Sequence, residues 1–184
     1  MISARPRGPL RVVVTGSEST GKTTLARDLA SRYATSWSPE FSRLYLDRVG
    51  RPLDDFDVEP IARGQIEGED IALRNASRVA VHDTDLLSTV VYARHYYGSC
   101  PEWIESATRE RLGDLYLLCL PDVPWVADGP QRDRPEGRDE LHRAFEAVLR
   151  EFDAPCSRIG GEWRQRGALA EAAVESALAR AAHL

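Results

Sequence analysis

Apolar residues fall along this chain in two rhythms. "LRVVVTG" (Leu10 to Gly16), "RVAVHD" (Arg78 to Asp83) and "LYLLCL" (Leu115 to Leu120) are short dense runs that read as buried strands, and "PCSRIG" reads as a fourth, shorter one. Between them the apolar positions recur at helical spacing. Leu25, Leu29 and Tyr33 mark a helix after the first strand, and residues 41–49 mark a second that stops at Gly50. Ile61, Ile66, Ala72 and Leu73 lie roughly on one side of a long third helix, for which Asp57 is the expected N-cap. "DLLSTVVYARHYYG" predicts a helix despite its β-branched residues, Pro101 opens another, and residues 141–152 form the next. The alanine-rich stretch 167–182 closes the chain as a packing helix.

Strands alternating with helices predict an α/β fold: a parallel sheet, helices on both faces, and ligands at the carboxyl ends of the strands. With 184 residues and no repeat, low-complexity tract or linker, the expectation is one domain over 10–184 behind a short frayed arm, 1–9.

The composition is 42% hydrophobic and 29% charged, with a formal net charge of −5. That balance argues against a general nucleic-acid binder and leaves room for a small anionic ligand. No run approaches the about 18 apolar residues of a membrane span, and "MISARPRGP" lacks the apolar core of a secretory signal. Three cysteines, Cys100, Cys119 and Cys156, without CxxC spacing, predict neither a disulfide framework nor a zinc site and fit a reducing cytoplasm. Cys119 reads as a small core residue.

The chain's single lysine, Lys22, sits in "GSESTGKTT" between a predicted strand and helix, and Gly16 to Thr23 fits G-x-x-x-x-G-K-[ST]. Gly16 and Gly21 permit the turns. The amides of Ser17, Glu18, Ser19, Thr20 and the helix start, Thr24 included, cradle phosphate oxygens. Lys22 reaches the β- and γ-phosphates, and the Thr23 hydroxyl ligates Mg²⁺. The expected ligands are therefore ATP and Mg²⁺. The guanine-reading NKxD is absent, which removes the usual GTPase element. The chain is short for an AAA+ machine, and no hydrophobic strand ends in adjacent Asp-Glu. A small P-loop kinase fits best.

Such a kinase needs a metal-orienting carboxylate, an acceptor site and a cover. "VHDTD" offers Asp83 for the metal and Asp85 for the acceptor, strand parity placing both on one side at the carboxyl edge of the sheet. Asp85 also fits a helix N-cap. "WSPEFSR" offers Glu40 and Arg43, three apart at a helix start. Glu40 and Asp85 both qualify to take a hydroxyl proton, and the sequence does not choose between them. The charged segment 128–140, with Arg132, Arg134 and Arg138, lies where a strand leaves the ligand edge and is expected to be a lid that excludes water.

Together, "GSESTGKTTLA", "PEFSRLYL", "IARGQ", "DTDLLST" and "PDVPWVADGPQRD", spread from about Leu10 to Phe152, resemble the NadR-type ribosylnicotinamide kinase domain in order and approximate spacing. The resemblance implies a nucleotide-kinase fold with a five-stranded parallel sheet and a lid. It implies ATP- and Mg²⁺-dependent phosphorylation of the 5′-hydroxyl of nicotinamide riboside, giving nicotinamide mononucleotide in NAD salvage. It places Gly16 to Thr23 on ATP, Asp83 and Asp85 near metal and ribose, Glu40 and Arg43 at the substrate, and Asp128 and Arg132 in the lid. The lid departs from the family's "DGLR", reading "DGPQR" here, so Arg132, Arg134 and Arg138 are all candidates for the arginine at the transferring phosphoryl group. For the ring platform Trp37 is the first candidate and Trp125 the second. No H-x-G-H signature of the family's adenylyltransferase domain is present, so a standalone kinase is expected. Kinases for other nucleosides or metabolites and a nucleotide-dependent regulatory ATPase are the alternatives, and oligomeric state is not legible.

Overall fold

A computed structural model describes residues 8–125 and 137–182. Five parallel strands form one sheet in the order β2-β3-β1-β4-β5. They are β1 (Leu10–Thr15), β2 (Trp37–Ser38), β3 (Val79–Asp83), β4 (Leu115–Cys119) and β5 (Cys156–Ile159). Every residue of β1, β3 and β4 is buried, as strands covered on both faces must be, and the β-branched side chains suit that role.

Seven helices complete the described fold: α1 (Lys22–Arg32), α2 (Phe41–Val49), α3 (Val58–Asn75), α4 (Leu86–Tyr97), α5 (Glu102–Arg111), α6 (Arg138–Glu151) and α7 (Trp163–Ala181). Strand alternation divides the core into two layers. Val12, Val14, Val81 and Leu117 meet α1 and α7 on one face, while Val13, Tyr116 and Leu118 meet α3, α4, α5 and α6 on the other. β1 pairs with β3 on one side and β4 on the other, so the chain reverses its direction of travel across the sheet beside β1. The loop after β1 therefore opens at the switch point where α/β sheets bind ligands.

The expected elements are present, with three differences. The fifth strand, β2, has only two residues, too few to show a period of two. Asp57 does not cap α3. A 3₁₀ turn at Asp55–Asp57 precedes that helix, Asp54 caps the turn, and the Asp57 carboxylate accepts from Arg51 and Tyr45. The last helix starts at Trp163, four residues earlier than its alanine content suggests. The arm at residues 1–7 lies outside the described residues. Among the described residues no helix is long and apolar enough to cross a membrane.

Candidate active site

Gly16 leaves β1 at φ +133°, and a Cβ there would lie 2.7 Å from the Cys119 carbonyl oxygen, so only glycine lets the loop pass the end of β4. Gly21, at φ +80°, is the N-cap of α1, whose amide end favours anions. Inside the loop the Ser17 carbonyl accepts from Thr20 Oγ1 at 2.8 Å and from Lys22 Nζ at 2.9 Å. The lysine is thus tucked against its own loop.

Two arginines brace the loop from behind. Arg166 of α7 is fully buried and donates to the carbonyls of Thr20 (3.1 Å), Leu120 (2.9 Å) and Gly161 (2.9 Å), with Asp122 as its ion-pair partner. Arg138, at the start of α6, donates to Ser19 O at 3.0 Å and Val123 O at 2.8 Å. Expected in the lid as a phosphate ligand, Arg138 here donates to two main-chain carbonyls and ties the P-loop to the chain after β4.

At the front of the loop, Thr23 Oγ1 donates to Asp83 Oδ2 at 2.6 Å. Asp83 Oδ1 is buried with no hydrogen-bond partner among the described residues. Burial pushes the Asp83 carboxyl up to about 6, helped by the negative charge of Glu40 and opposed by the Thr23 hydroxyl and Lys22. Burial also raises Glu40, yet Lys22, Arg43 and Ser42 outweigh it and hold that carboxyl below its ordinary value. Arg43 Nε donates to Glu40 Oε2 at 2.9 Å and Ser42 Oγ to Glu40 Oε1 at 3.1 Å. Glu40 is ionised at neutral pH, beside the P-loop lysine.

A cavity of about 560 Å³ is lined by Glu18, Lys22, Glu40, Arg43 and Gln65 together with Tyr92, Tyr96 and Tyr97 of α4. The Tyr92 and Tyr96 rings lie parallel with their centroids 6.1 Å apart, and Tyr92 rests edge-on against Phe145 with centroids 5.7 Å apart. Asp47 and Asp54 add negative charge to the wall. Its size suits a ligand of nucleoside dimensions.

Lys22, Thr23, Glu40, Arg43 and Asp83 thus come together, as the sequence predicts. Asp85 does not join them. Thr84 takes φ +65°, which breaks strand parity, so Asp83 turns toward α1 and Asp85 toward Tyr116 on the opposite face. Asp85 is 3% exposed; Oδ1 caps Leu87 N at 3.1 Å and Oδ2 accepts from Tyr116 Oη at 2.5 Å. Burial raises its carboxyl, with the Tyr116 hydrogen bond opposing. Its place here is the helix cap, not the acceptor cavity.

Trp37 is also displaced from its expected role: it packs on the α1 side of the sheet under Arg27, whose guanidinium carbon lies 5.3 Å from the ring centre. Trp125 is half-buried and does not line the cavity. Thr24 is exposed on the first turn of α1. Asp128, Arg132 and Arg134 lie outside the described residues.

Sequence reasoning missed Gln65, the three tyrosines and Arg166. The i, i+4 spacing of Tyr92 and Tyr96 was the available signal, but a helix rich in apolar residues reads equally as core.

Among curated proteins, the trifunctional NAD biosynthesis/regulator protein NadR of Salmonella typhimurium is 32% identical over 147 residues, 77% of this chain and 35% of that protein. Its counterpart from Escherichia coli strain K12 is 33% identical over 124 residues, 64% of this chain and 30% of that protein. The chain therefore spans about a third of the length of the curated relatives it matches, 35% and 30%. Among solved structures, NadR in complex with NR aligns with a TM-score of 0.75 at 26% identity, covering 93% of this chain and 52% of that one. Thymidylate kinase from Ehrlichia chaffeensis aligns at 0.64 and 15% identity over 92% of this chain and 99% of that one, and shares the fold alone. A family model described as an AAA domain matches residues 11–166. With that match covering most of its 184 residues, the chain belongs to the AAA-domain family and is a NadR-type member of it with a P-loop kinase fold.

Proposed function

We propose that the protein transfers the γ-phosphoryl group of Mg-ATP to the 5′-hydroxyl of nicotinamide riboside, giving nicotinamide mononucleotide for NAD salvage. One observation carries the reading: Lys22 of the P-loop, Glu40 and Arg43 line the same cavity of about 560 Å³ as Tyr92, Tyr96 and Tyr97 of α4, a volume that suits a nucleoside. The likeness to NadR in complex with NR supports the choice of acceptor. The tyrosines provide flat apolar surface for an aromatic ring, and Asp47 and Asp54 favour a ring that carries positive charge.

On this reading the loop amides and Lys22 hold the triphosphate, the lysine leaving Ser17 O for the β- and γ-oxygens. Glu40 orients the acceptor hydroxyl and takes its proton as the oxygen bonds to the γ-phosphorus. The bond from that phosphorus to the β,γ-bridging oxygen breaks and ADP leaves. A depressed Glu40 is a weak base, but in a loose transition state positioning outweighs basicity. Arg43 keeps Glu40 in place through its 2.9 Å bond.

The hydroxyl of Thr23 and the unpartnered Oδ1 of Asp83 form an oxygen donor pair that fits Mg²⁺, which takes few protein ligands. When bound, the ion neutralises phosphate charge. Among the described residues no group of three or more His, Cys, Asp or Glu side chains forms a metal cage, and a nucleotide-borne ion needs none.

The deciding experiment is ADP release from Mg-ATP across a panel of nucleosides, with products identified by mass. Fast turnover on nicotinamide riboside supports the reading. Turnover on another nucleoside alone replaces the acceptor, and tight ATP binding with no acceptor points to a regulatory ATPase.

A further inference from the structure

The N–H of Phe41 opens α2 and belongs to the amides a helix cannot satisfy by itself. Glu40 stands at the N-cap but makes no cap, because its carboxylate is taken by Ser42 and Arg43. The amide is met instead from another helix. Gln65 of α3, 3% exposed, accepts it on Oε1 at 3.0 Å. Its other end, Nε2, donates to the Thr84 carbonyl at 3.1 Å. Thr84 is the β-branched residue held at φ +65° between Asp83 and Asp85, a conformation such residues resist. Its N–H is held as well, by Val14 O at 2.9 Å.

The preceding residue makes the reach possible. A Cβ on Gly64 would lie 2.1 Å from the Phe41 ring, so α3 comes this close to α2 because position 64 is glycine. One side chain thereby bridges the start of the Glu40 helix and the strained turn that ends β3, and it lines the acceptor cavity between them.

We propose that Gln65 is a positioning residue for phosphoryl transfer, releasing Glu40 from capping so that its carboxylate stays beside Lys22, and pinning the Thr84 turn that aims Asp83. This rests on the reading of Glu40 as the group that takes the acceptor proton. A residue that served packing alone would change the amount of folded protein. A positioning residue changes the turnover of each folded molecule and does so through its partner.

The test is a double-mutant cycle on the full chain: Gln65→Leu, Glu40→Gln and the pair, with thermal midpoint, affinity for a non-hydrolysable ATP analogue, and kcat and KM for nicotinamide riboside. Gln65→Leu is expected to lower kcat about 10- to 100-fold with nucleotide affinity unchanged. In the Glu40→Gln background the same substitution is expected to cost little more, since the two act as a unit. Gln65→Glu keeps the acceptor for Phe41 N–H and loses the donor to Thr84, so it gives a partial loss and serves if the leucine variant does not fold. Fully additive losses, or an unchanged kcat in both Gln65 variants, overturn the proposal. Glu40→Gln with wild-type turnover removes instead the premise about Glu40, and that outcome is read from the single variant alone.

Discussion

Arg166→Met probes the brace behind the P-loop. Methionine keeps much of the apolar stem but none of the donors, so the carbonyls of Thr20, Leu120 and Gly161 lose their partner. Asp122 loses its ion pair too, although its side chain is 39% exposed and can turn to water. Removing one member of a buried charged network costs about 3–5 kcal/mol, because the groups left behind remain desolvated. The half-exposed aspartate and the water it can recruit put the expected loss nearer the lower end. For a chain of this size that is a fall in Tm on the order of 10 °C. Urea unfolding with and without an ATP analogue measures both consequences. Stability should fall by about 3 kcal/mol, and the stabilisation that nucleotide confers should shrink, because the Thr20 segment is no longer held. A loss below about 1 kcal/mol with normal nucleotide binding refutes the reasoning, since the loop would then hold its shape unaided.

Lys22→Ala should abolish turnover while the circular dichroism and unfolding midpoint stay near wild type; retained turnover removes the P-loop lysine from the chemistry. Glu40→Gln should lower kcat by about 10²-fold or more, whereas Asp85→Asn, which keeps the Leu87 cap, should act mainly on stability; the reverse ranking in acceptor kinetics restores Asp85 to the acceptor site. Burial, with Asp85 adding repulsion, pushes the Glu69 carboxyl up to about 7 from 4.5 despite Arg11 and Arg111. The folded state therefore binds that proton more tightly than the unfolded chain, and stability is lost as pH rises from about 4.5 through 7. Glu69→Gln should flatten that slope in urea titrations across the range, and an unchanged slope assigns it to other groups.

What the sequence carried well was local. The P-loop, the three dense strands and the α2 stop at Gly50 each depend on neighbours a few residues away, so spacing alone exposes them. Asp85 shows the limit of that method. Parity predicts its side correctly only while the strand continues, and a single left-handed Thr84 reverses it. Trp37 lies in a strand of two residues whose facing depends on its pairing with β3, a long-range fact. Arg138 lies inside the charged segment 128–140, which makes it one of three candidate phosphate ligands, and its partners here are the carbonyls of Ser19 and Val123, far away in sequence or set by the fold. Gln65 was in view within "IARGQ", but only the meeting of α2, α3 and the β3 turn gives it work.

The P-loop and its brace are 146 residues apart, from Thr20 to Arg166. During synthesis the loop leaves the ribosome well before its clamp, which follows 146 residues later. A nascent chain stalled before α7 therefore carries the phosphate-binding sequence without the part that holds it in shape. The shape of the phosphate-binding loop is thereby tied to the folding of α7, a helix far from it along the chain.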